Sequence, residues 1–170
     1  MDTSKTPLTE AINLYIQASK LDIESPERKD MLTKAVTILE QHIEKNPKSM
    51  EAHRKLIGVL ILQKHYSKAV RVMQSAITLS PEDPKLFIGL AFLYEHSRNY
   101  EFASHMLGQA LKLDPDNKMA KDYKVHIKNK IKLLDEMTGH QQNPHSSASP
   151  HAKMNTNKPT SLIAPGLQKN

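Results

Sequence analysis

PKLFIGLAFLYEHSRNYEFASHMLGQALKLDPDN, residues 84–117, repeats the pattern of residues 50–83 at an offset of 34 positions. The prolines near the unit ends keep this spacing, since Pro47, Pro81 and Pro115 follow one another at 34-residue steps. The other matched sets are Ala35, Ala69 and Ala103; Leu39, Met73 and Leu107; and Ile43, Ile77 and Leu111. A fixed period of this length indicates an array of similar supersecondary units that stack on one another.

Each 34-residue unit contains two amphipathic helices. In residues 50–64 the apolar residues Ala52, Leu56, Val59 and Leu60 recur at three- and four-residue steps, which predicts a helix with one apolar stripe. A second helix is expected over residues 67–79, where alanines two turns apart let the helices approach closely. Proline then ends it, because the residue before a proline avoids helical geometry. The next unit is expected to repeat this over residues 86–96 and 101–113.

The pattern resembles the tetratricopeptide repeat family. In residues 84–117 the family's large, small and aromatic positions, and its proline, are matched by Phe87, Leu90, Ala91, Tyr94, Ala103, Leu107, Ala110 and Pro115. Residues 50–83 match less fully, with His53 and Ile57 at two of these positions. The resemblance implies an all-α fold, an α-solenoid of about three helix pairs. It also implies a non-catalytic protein-interaction module.

The first unit, residues 6–49, is a degenerate repeat with about 11 extra residues. Thr6-Pro7 and Ser25-Pro26 predict its two helix starts, because a Ser or Thr cap followed by proline suits a first helical turn. The predicted order is a disordered start at residues 1–5, a repeat domain at residues 6–138 and a tail. The domain comprises repeats at 6–49, 50–83 and 84–117 and a capping helix at 118–138.

In the capping helix, Met119, Tyr123, Ile127, Ile131 and Leu134 form an apolar stripe that we expect to cover the last repeat. A basic face lies beside it. Its lysines are interpreted as solvated surface, with an acidic ligand site as the alternative: Lys121, Lys124, Lys128 and Lys132. Residues 139–170 are rich in polar residues and proline and predict a disordered basic tail. An apolar segment at 162–167 is either inert or a docking peptide.

The net charge of +6 lies entirely in the last third of the chain. Residues 1–116 carry 15 basic and 15 acidic side chains, and the excess is shared between residues 117–138 and the tail. Such a sparse basic surface, in a tail without aromatic residues, argues against a nucleic-acid partner. Nucleic-acid or anionic-surface binding through the capping helix and tail is nevertheless retained as the alternative function. The polar N-terminus and the lack of a long apolar run predict a cytoplasmic protein without a transmembrane segment.

No sequence motif indicates an enzyme, a cofactor or a metal centre. The chain has no cysteine, and it contains neither a phosphate-binding glycine loop nor a dinucleotide or zincin pattern. Its nine histidines are scattered, which is more typical of surface and helix-interface positions than of a metal site. We therefore expect no cofactor and no catalysis.

A partner is expected on the concave face, which the first helices of successive pairs line. The resemblance places groove positions at Arg54, Gly58, Ile61, Lys85, Ile88, Phe92 and Glu95. Gly58 would face nothing bulky, while Ile61, Ile88 and Phe92 would form an apolar trough flanked by Arg54 and Lys85. Such a trough suits an amphipathic helix or an extended apolar peptide. The alternative is that Ile61 and Ile88 only pack between neighbouring helices.

Family members that clamp the acidic C-terminus of heat-shock chaperones use asparagines and lysines where this chain has Gly58 and Phe92. That clamp is therefore not expected here. The leading hypothesis is an adaptor or assembly chaperone that holds another protein. Small bacterial secretion chaperones with three such repeats are a similar class. Self-association through the groove or an uncapped end stays open.

Overall fold

The computed structural model describes residues 6–139, and within that range the chain forms seven α-helices. They are α1 Pro7–Ser19, α2 Pro26–Lys45, α3 Met50–Leu62, α4 Tyr66–Leu79, α5 Pro84–His96, α6 Tyr100–Leu113 and α7 Lys118–Gly139. Each helix packs chiefly on its neighbours along the chain, and α1 also reaches α3. This arrangement is an α-solenoid, and the predicted fold class is confirmed. The predicted disordered segments at residues 1–5 and 139–170 lie outside the described residues except for Gly139, which is the last residue of α7 and not the first of the tail.

Side-chain caps begin the helices at the predicted positions. The Thr6 hydroxyl accepts a hydrogen bond from the Thr9 amide, and the Ser25 hydroxyl accepts one from the Arg28 amide. Each cap satisfies an amide that has no partner within its helix. The extra residues of the first unit lengthen both α2 and the loop before it. Helix α2 has 20 residues, whereas the corresponding helices α4 and α6 have 14.

Arg28 secures that longer loop and is buried. Its Nε donates to the carbonyl oxygen of Ala18 at 3.2 Å, and Nη1 donates to that of Ile23 at 3.4 Å. Both carbonyls lie at or beyond the end of α1, where helix carbonyls lack intrahelical partners. Arg28 therefore fixes the turn between α1 and α2. The sequence did not indicate this role, because the neighbours of Arg28 in the sequence are mostly charged.

Small residues let the two helices of each pair approach closely. Ala69 and Ala76 of α4, and Ala103 and Ala110 of α6, are completely buried, as the sequence predicted. Leucines fill the space around them, and the core divides into one cluster under α1–α5 and another under α5–α7. The capping helix α7 completes the second cluster through Ala120 and Ile127.

The predicted apolar stripe of α7 is only partly correct. Tyr123, Ile127 and Ile131 pack against the second cluster, but Met119 is 67% exposed and Leu134 is 43% exposed. Periodicity identifies the face of a helix that is apolar but not how far the neighbouring helices extend along it. Here α7 has 22 residues while α6, the helix on which it chiefly packs, has 14, so α6 cannot cover the whole length of the stripe.

The turns after α3 and α5 end in the same strained conformation. Lys64 and Arg98, one repeat apart, both have φ of 58°, in the left-handed region that favours glycine. The amides that follow, of His65 and Asn99, donate back to the carbonyls of Leu60 and Tyr94. This is the Schellman pattern of helix termination.

We expect Lys64→Gly and Arg98→Gly each to raise the free energy of unfolding by roughly 0.5–1 kcal/mol, because glycine adopts positive φ without a steric penalty. Urea unfolding of the full chain measures the change. The control is Lys20→Gly at the end of α1, where φ is −92° and no gain is expected. An equal gain at Lys20 would contradict the explanation.

Candidate partner-binding surface

The predicted groove residues lie on the first helices α3 and α5. Arg54, Gly58 and Ile61 occur at four- and three-residue steps along α3, so they share one face of the helix. Ile88, Phe92 and Glu95 occupy the same positions in α5, one repeat later. Arg54 and Lys85 are exposed, and the others are half-buried. The geometry is thus consistent with one surface crossing both helices.

Gly58 faces the ring of Tyr15, whereas the sequence suggested that it faces nothing bulky. Atoms of the Tyr15 ring and its hydroxyl lie 3.5–3.7 Å from the point that a Cβ on Gly58 would occupy. Tyr15 belongs to α1, so a residue of the degenerate first unit packs beside Gly58 of α3. The expectation of an unfilled position is wrong, because the contact joins residues 43 positions apart and periodicity within one helix cannot predict it.

Arg54 lies between two shallow depressions of this surface. The first, about 420 Å³, is lined by Tyr15, Met50, Glu51, Arg54, Lys55 and Gly58. The second, about 340 Å³, is lined by Arg54, Ile57, Met73, Asp83, Lys85 and Leu86. The Arg54 Nη2 donates to Asp83 Oδ2 at 3.0 Å, so the guanidinium is held against the start of α5 while more than half of its side chain stays exposed.

The trough residues combine packing with partial exposure. Ile61 and Phe92 pack against the first core cluster, and Ile88 packs against the second. Phe92 also contacts the imidazole of His96, with ring centroids 4.1 Å apart, and His96 in turn contacts Tyr66 at 5.1 Å. These side chains therefore pack between helices while staying partly exposed, and whether they form a trough for a ligand stays a prediction.

Glu95 has partners within the protein that the sequence did not indicate. It receives hydrogen bonds from the Tyr123 hydroxyl and the Lys130 ammonium, and His126 Nε2 lies 3.2 Å from its Oε1. All three partners belong to α7, and only 13% of the Glu95 side chain is exposed. Its placement on a partner-binding groove stays a prediction, whereas its contacts show that it anchors the capping helix.

Those contacts shift the pKa of two groups. Burial alone would raise the pKa of the Glu95 carboxyl, but hydrogen bonds from Lys130 and Tyr123, helped by the Lys130 charge and His126, bring it below its usual value. Burial, followed by the hydrogen bond to the Glu95 carboxylate, raises the pKa of the Tyr123 phenol well above its usual value. The ionised glutamate and the neutral tyrosine are thus the forms that the fold stabilises.

The lysines of the basic face of α7 differ in their surroundings. By the 34-residue period, Lys121, Lys124 and Lys128 correspond to Phe87, Leu90 and Tyr94 of α5. Lys121 and Lys128 are exposed, as expected where the described residues provide no following helix, whereas Lys124 is half-buried and its Nζ lies 3.3 Å from the point that a Cβ on Gly108 of α6 would occupy. Two ion pairs also neutralise part of the charge, Lys121 with Asp116 and Lys132 with Glu136.

Residues 6–139 show neither a metal-binding cluster nor a membrane-spanning helix. No group of three or more histidine and acidic side chains in that range is arranged to hold a metal ion. None of the helices there combines the length and the apolar character needed to cross a membrane.

Comparison with known proteins agrees with this architecture. Residues 60–122 match the family model described as tetratricopeptide repeat. Superkiller protein 3 of Schizosaccharomyces pombe is 28% identical over 119 residues, which are 69% of this chain and only 8% of that protein. The chain therefore corresponds to a small part of that relative.

Two solved structures share the fold. The tetratricopeptide protein TTC0263 of Thermus thermophilus superposes with a TM-score of 0.60 and 20% identity, over 71% of this chain and 61% of that one. The first tetratricopeptide domain of Spaghetti (RPAP3), bound to an HSP90 peptide, superposes with a TM-score of 0.53 and 15% identity. The match covers 72% of this chain and 93% of that one.

The described chain is thus an α-solenoid of stacked helix pairs, of the class that serves as a protein-interaction module. Residues 60–122 are tetratricopeptide repeats, and the described chain as a whole has the fold of that family.

Proposed function

We propose that the chain is an adaptor or assembly chaperone that binds a peptide or amphipathic helix of another protein across α3 and α5. The observation that carries this proposal is the position of Arg54, which lines one depression between α1 and α3 and a second between α3, α4 and the start of α5. The related domain of Spaghetti holds an HSP90 peptide, which supports peptide binding as the function of this fold.

The chemistry of the surface favours an apolar ligand that carries an acidic group. Ile61, Ile88 and Phe92 each offer a partly exposed apolar surface, which can bury apolar side chains of a partner. Arg54 and Lys85 stand exposed beside them and can pair with a carboxylate, which would orient the ligand. An acidic C-terminal clamp is not proposed, because the surface has no asparagine at Gly58 or Phe92.

A display selection of random peptides on the full chain tests the proposal. We expect selected peptides to combine apolar and acidic residues, and Lys85→Glu to weaken their binding about tenfold through charge reversal. Lys85 is exposed in the first turn of α5, where an acidic residue is favourable, so this variant should keep its stability. Fluorescence anisotropy of a labelled peptide measures the affinity.

The matched control is Lys128→Glu, an exposed lysine on α7 outside the proposed surface. It should leave peptide affinity unchanged. Equal weakening by both variants would reveal a general charge effect, and no weakening by Lys85→Glu would rule out this surface. Replacing Phe92 or Ile88 with aspartate is a poorer test, because both side chains pack against the core and the fold itself would be disturbed.

A further inference from the structure

The last eight residues of α7 project beyond the rest of the solenoid. Residues 132–139, which we name the α7 overhang, are all exposed, whereas the middle of the helix contributes Tyr123, Ile127 and Ile131 to the second core cluster. At 1.5 Å per residue the α7 overhang is about 12 Å long. It is a helical segment with no protein neighbour along most of its surface.

Three large apolar side chains lie on the α7 overhang. Leu133, Leu134 and Met137 are 58%, 43% and 70% exposed, and their spacing places Leu133 and Met137 on one side with Leu134 beside them. The carboxylates of Asp135 and Glu136 stand between them in the sequence. Lys132 pairs with Glu136, so the excess of one negative charge comes from Asp135. The combination is an apolar patch with a slightly acidic edge, which favours a ligand that is apolar and basic.

We propose that residues 162–167, Leu-Ile-Ala-Pro-Gly-Leu, cover the α7 overhang of their own molecule. This segment lies outside the described residues, and it holds the only cluster of large apolar residues in the sequence after Gly139. Lys158 and Lys169 flank it, and residues 140–170 contain no acidic residue. Both its apolar character and its charge are therefore complementary to the patch.

The length of the connection also supports docking within one molecule. Residues 140–161 begin directly at the α7 overhang, and this number of residues can span up to roughly 70 Å, far more than the length of the patch. A ligand tethered in this way has an effective concentration in the millimolar range, so a small contact is sufficient.

A second copy of the chain is a weaker candidate for the same patch. The three side chains together expose only a few hundred Å², whereas a stable interface buries about 800 Å² on each partner. A segment tethered to the same molecule can bind through a smaller buried area, because its effective concentration is high. Its docking would also leave Arg54 and Lys85 untouched, so the inference stands or falls separately from the proposed peptide-binding surface.

Distances between paired spin labels test the inference. The chain has no cysteine, so the double variant Asn129→Cys, Ser161→Cys accepts one nitroxide on α7 and one beside the segment without background labelling. Double electron–electron resonance on the otherwise unchanged full chain should give a single narrow distance distribution. We expect it to broaden at least about twofold when the segment is changed by Leu162→Ser, Ile163→Ser and Leu167→Ser.

Two further variants locate the contact. Leu133→Gln with Met137→Gln removes the apolar patch at exposed positions and should broaden the distribution equally, while Val125→Gln, also exposed but nearer the middle of α7, should not. A broad distribution in the starting protein would overturn the inference. So would a narrow distribution that survives the patch variant, which would place the segment elsewhere, or one that disappears on dilution with unlabelled chain, which would identify a second copy.

Discussion

Replacing Glu95 with alanine is expected to lower the free energy of unfolding by about 2–4 kcal/mol and to loosen the capping helix. The substitution removes the acceptor shared by Tyr123, His126 and Lys130, all of which belong to α7. A solenoid is held together by contacts between neighbouring helices, so the damage should be concentrated at the α5–α7 end. Amide hydrogen exchange along α7, together with urea unfolding, measures both effects.

The same contact should make stability depend on pH. Because these contacts hold the folded-state pKa of Glu95 below its ordinary value in an unfolded chain, the contribution of Glu95 to stability is complete above that ordinary value. The contribution is lost as the pH falls through the folded-state pKa. Glu95→Ala should therefore flatten the stability profile on the acidic side of the ordinary pKa of a glutamate.

The control is Glu82→Ala, which removes an exposed acid from the loop before α5. It should change stability by less than about 0.5 kcal/mol and leave α7 exchange unaltered. If Glu95→Ala left exchange in α7 at its original rate, the carboxylate would not be the anchor of the capping helix.

Leu107→Ala is expected to destabilise the protein by about 3–5 kcal/mol, because the removed atoms lose their burial and leave a cavity. Leu107 is completely buried in the second core cluster, between the alanines of α6 that bring the helices together. Urea unfolding followed by circular dichroism measures the loss. We expect α5, α6 and α7 to exchange their amides fastest in this variant.

Leu113→Ala on the same helix is a matched control, since it makes the same chemical change at a side chain that is 43% exposed. Its expected loss is roughly 1 kcal/mol or less, because much of the side chain is already in water. Similar losses for the two leucines would mean that the assignment of Leu107 to the core is wrong.

Residue-level predictions succeeded where the determining interactions are local. The caps at Thr6 and Ser25 act over three residues, and the buried alanines of α4 and α6 follow from spacing within one helix. The predicted partner site is a different case. Its positions in α3 and α5 share one surface, but whether a partner binds there stays a prediction.

Contacts between distant parts of the chain account for what the sequence missed. Tyr15 crosses 43 positions to reach Gly58, and Glu95 receives its hydrogen bonds from residues 28–35 positions away. The extra residues in the first unit also break the 34-residue period. Aligning that unit with the later repeats therefore could not predict the position of Tyr15. The exposure of Met119 likewise depends on where the neighbouring helices end.

The sequence by itself determined the α-solenoid, because the 34-residue period, the helix caps and the apolar stripes all depend on the order of residues within single repeats. Only the tertiary structure decided which side chains of the predicted groove are exposed and which are covered. In the structure Tyr15 lies against Gly58, and Glu95 binds side chains of α7. Arg54 lies between two depressions. The physical reason is that accessibility depends on how neighbouring helices are stacked, which no single helix specifies.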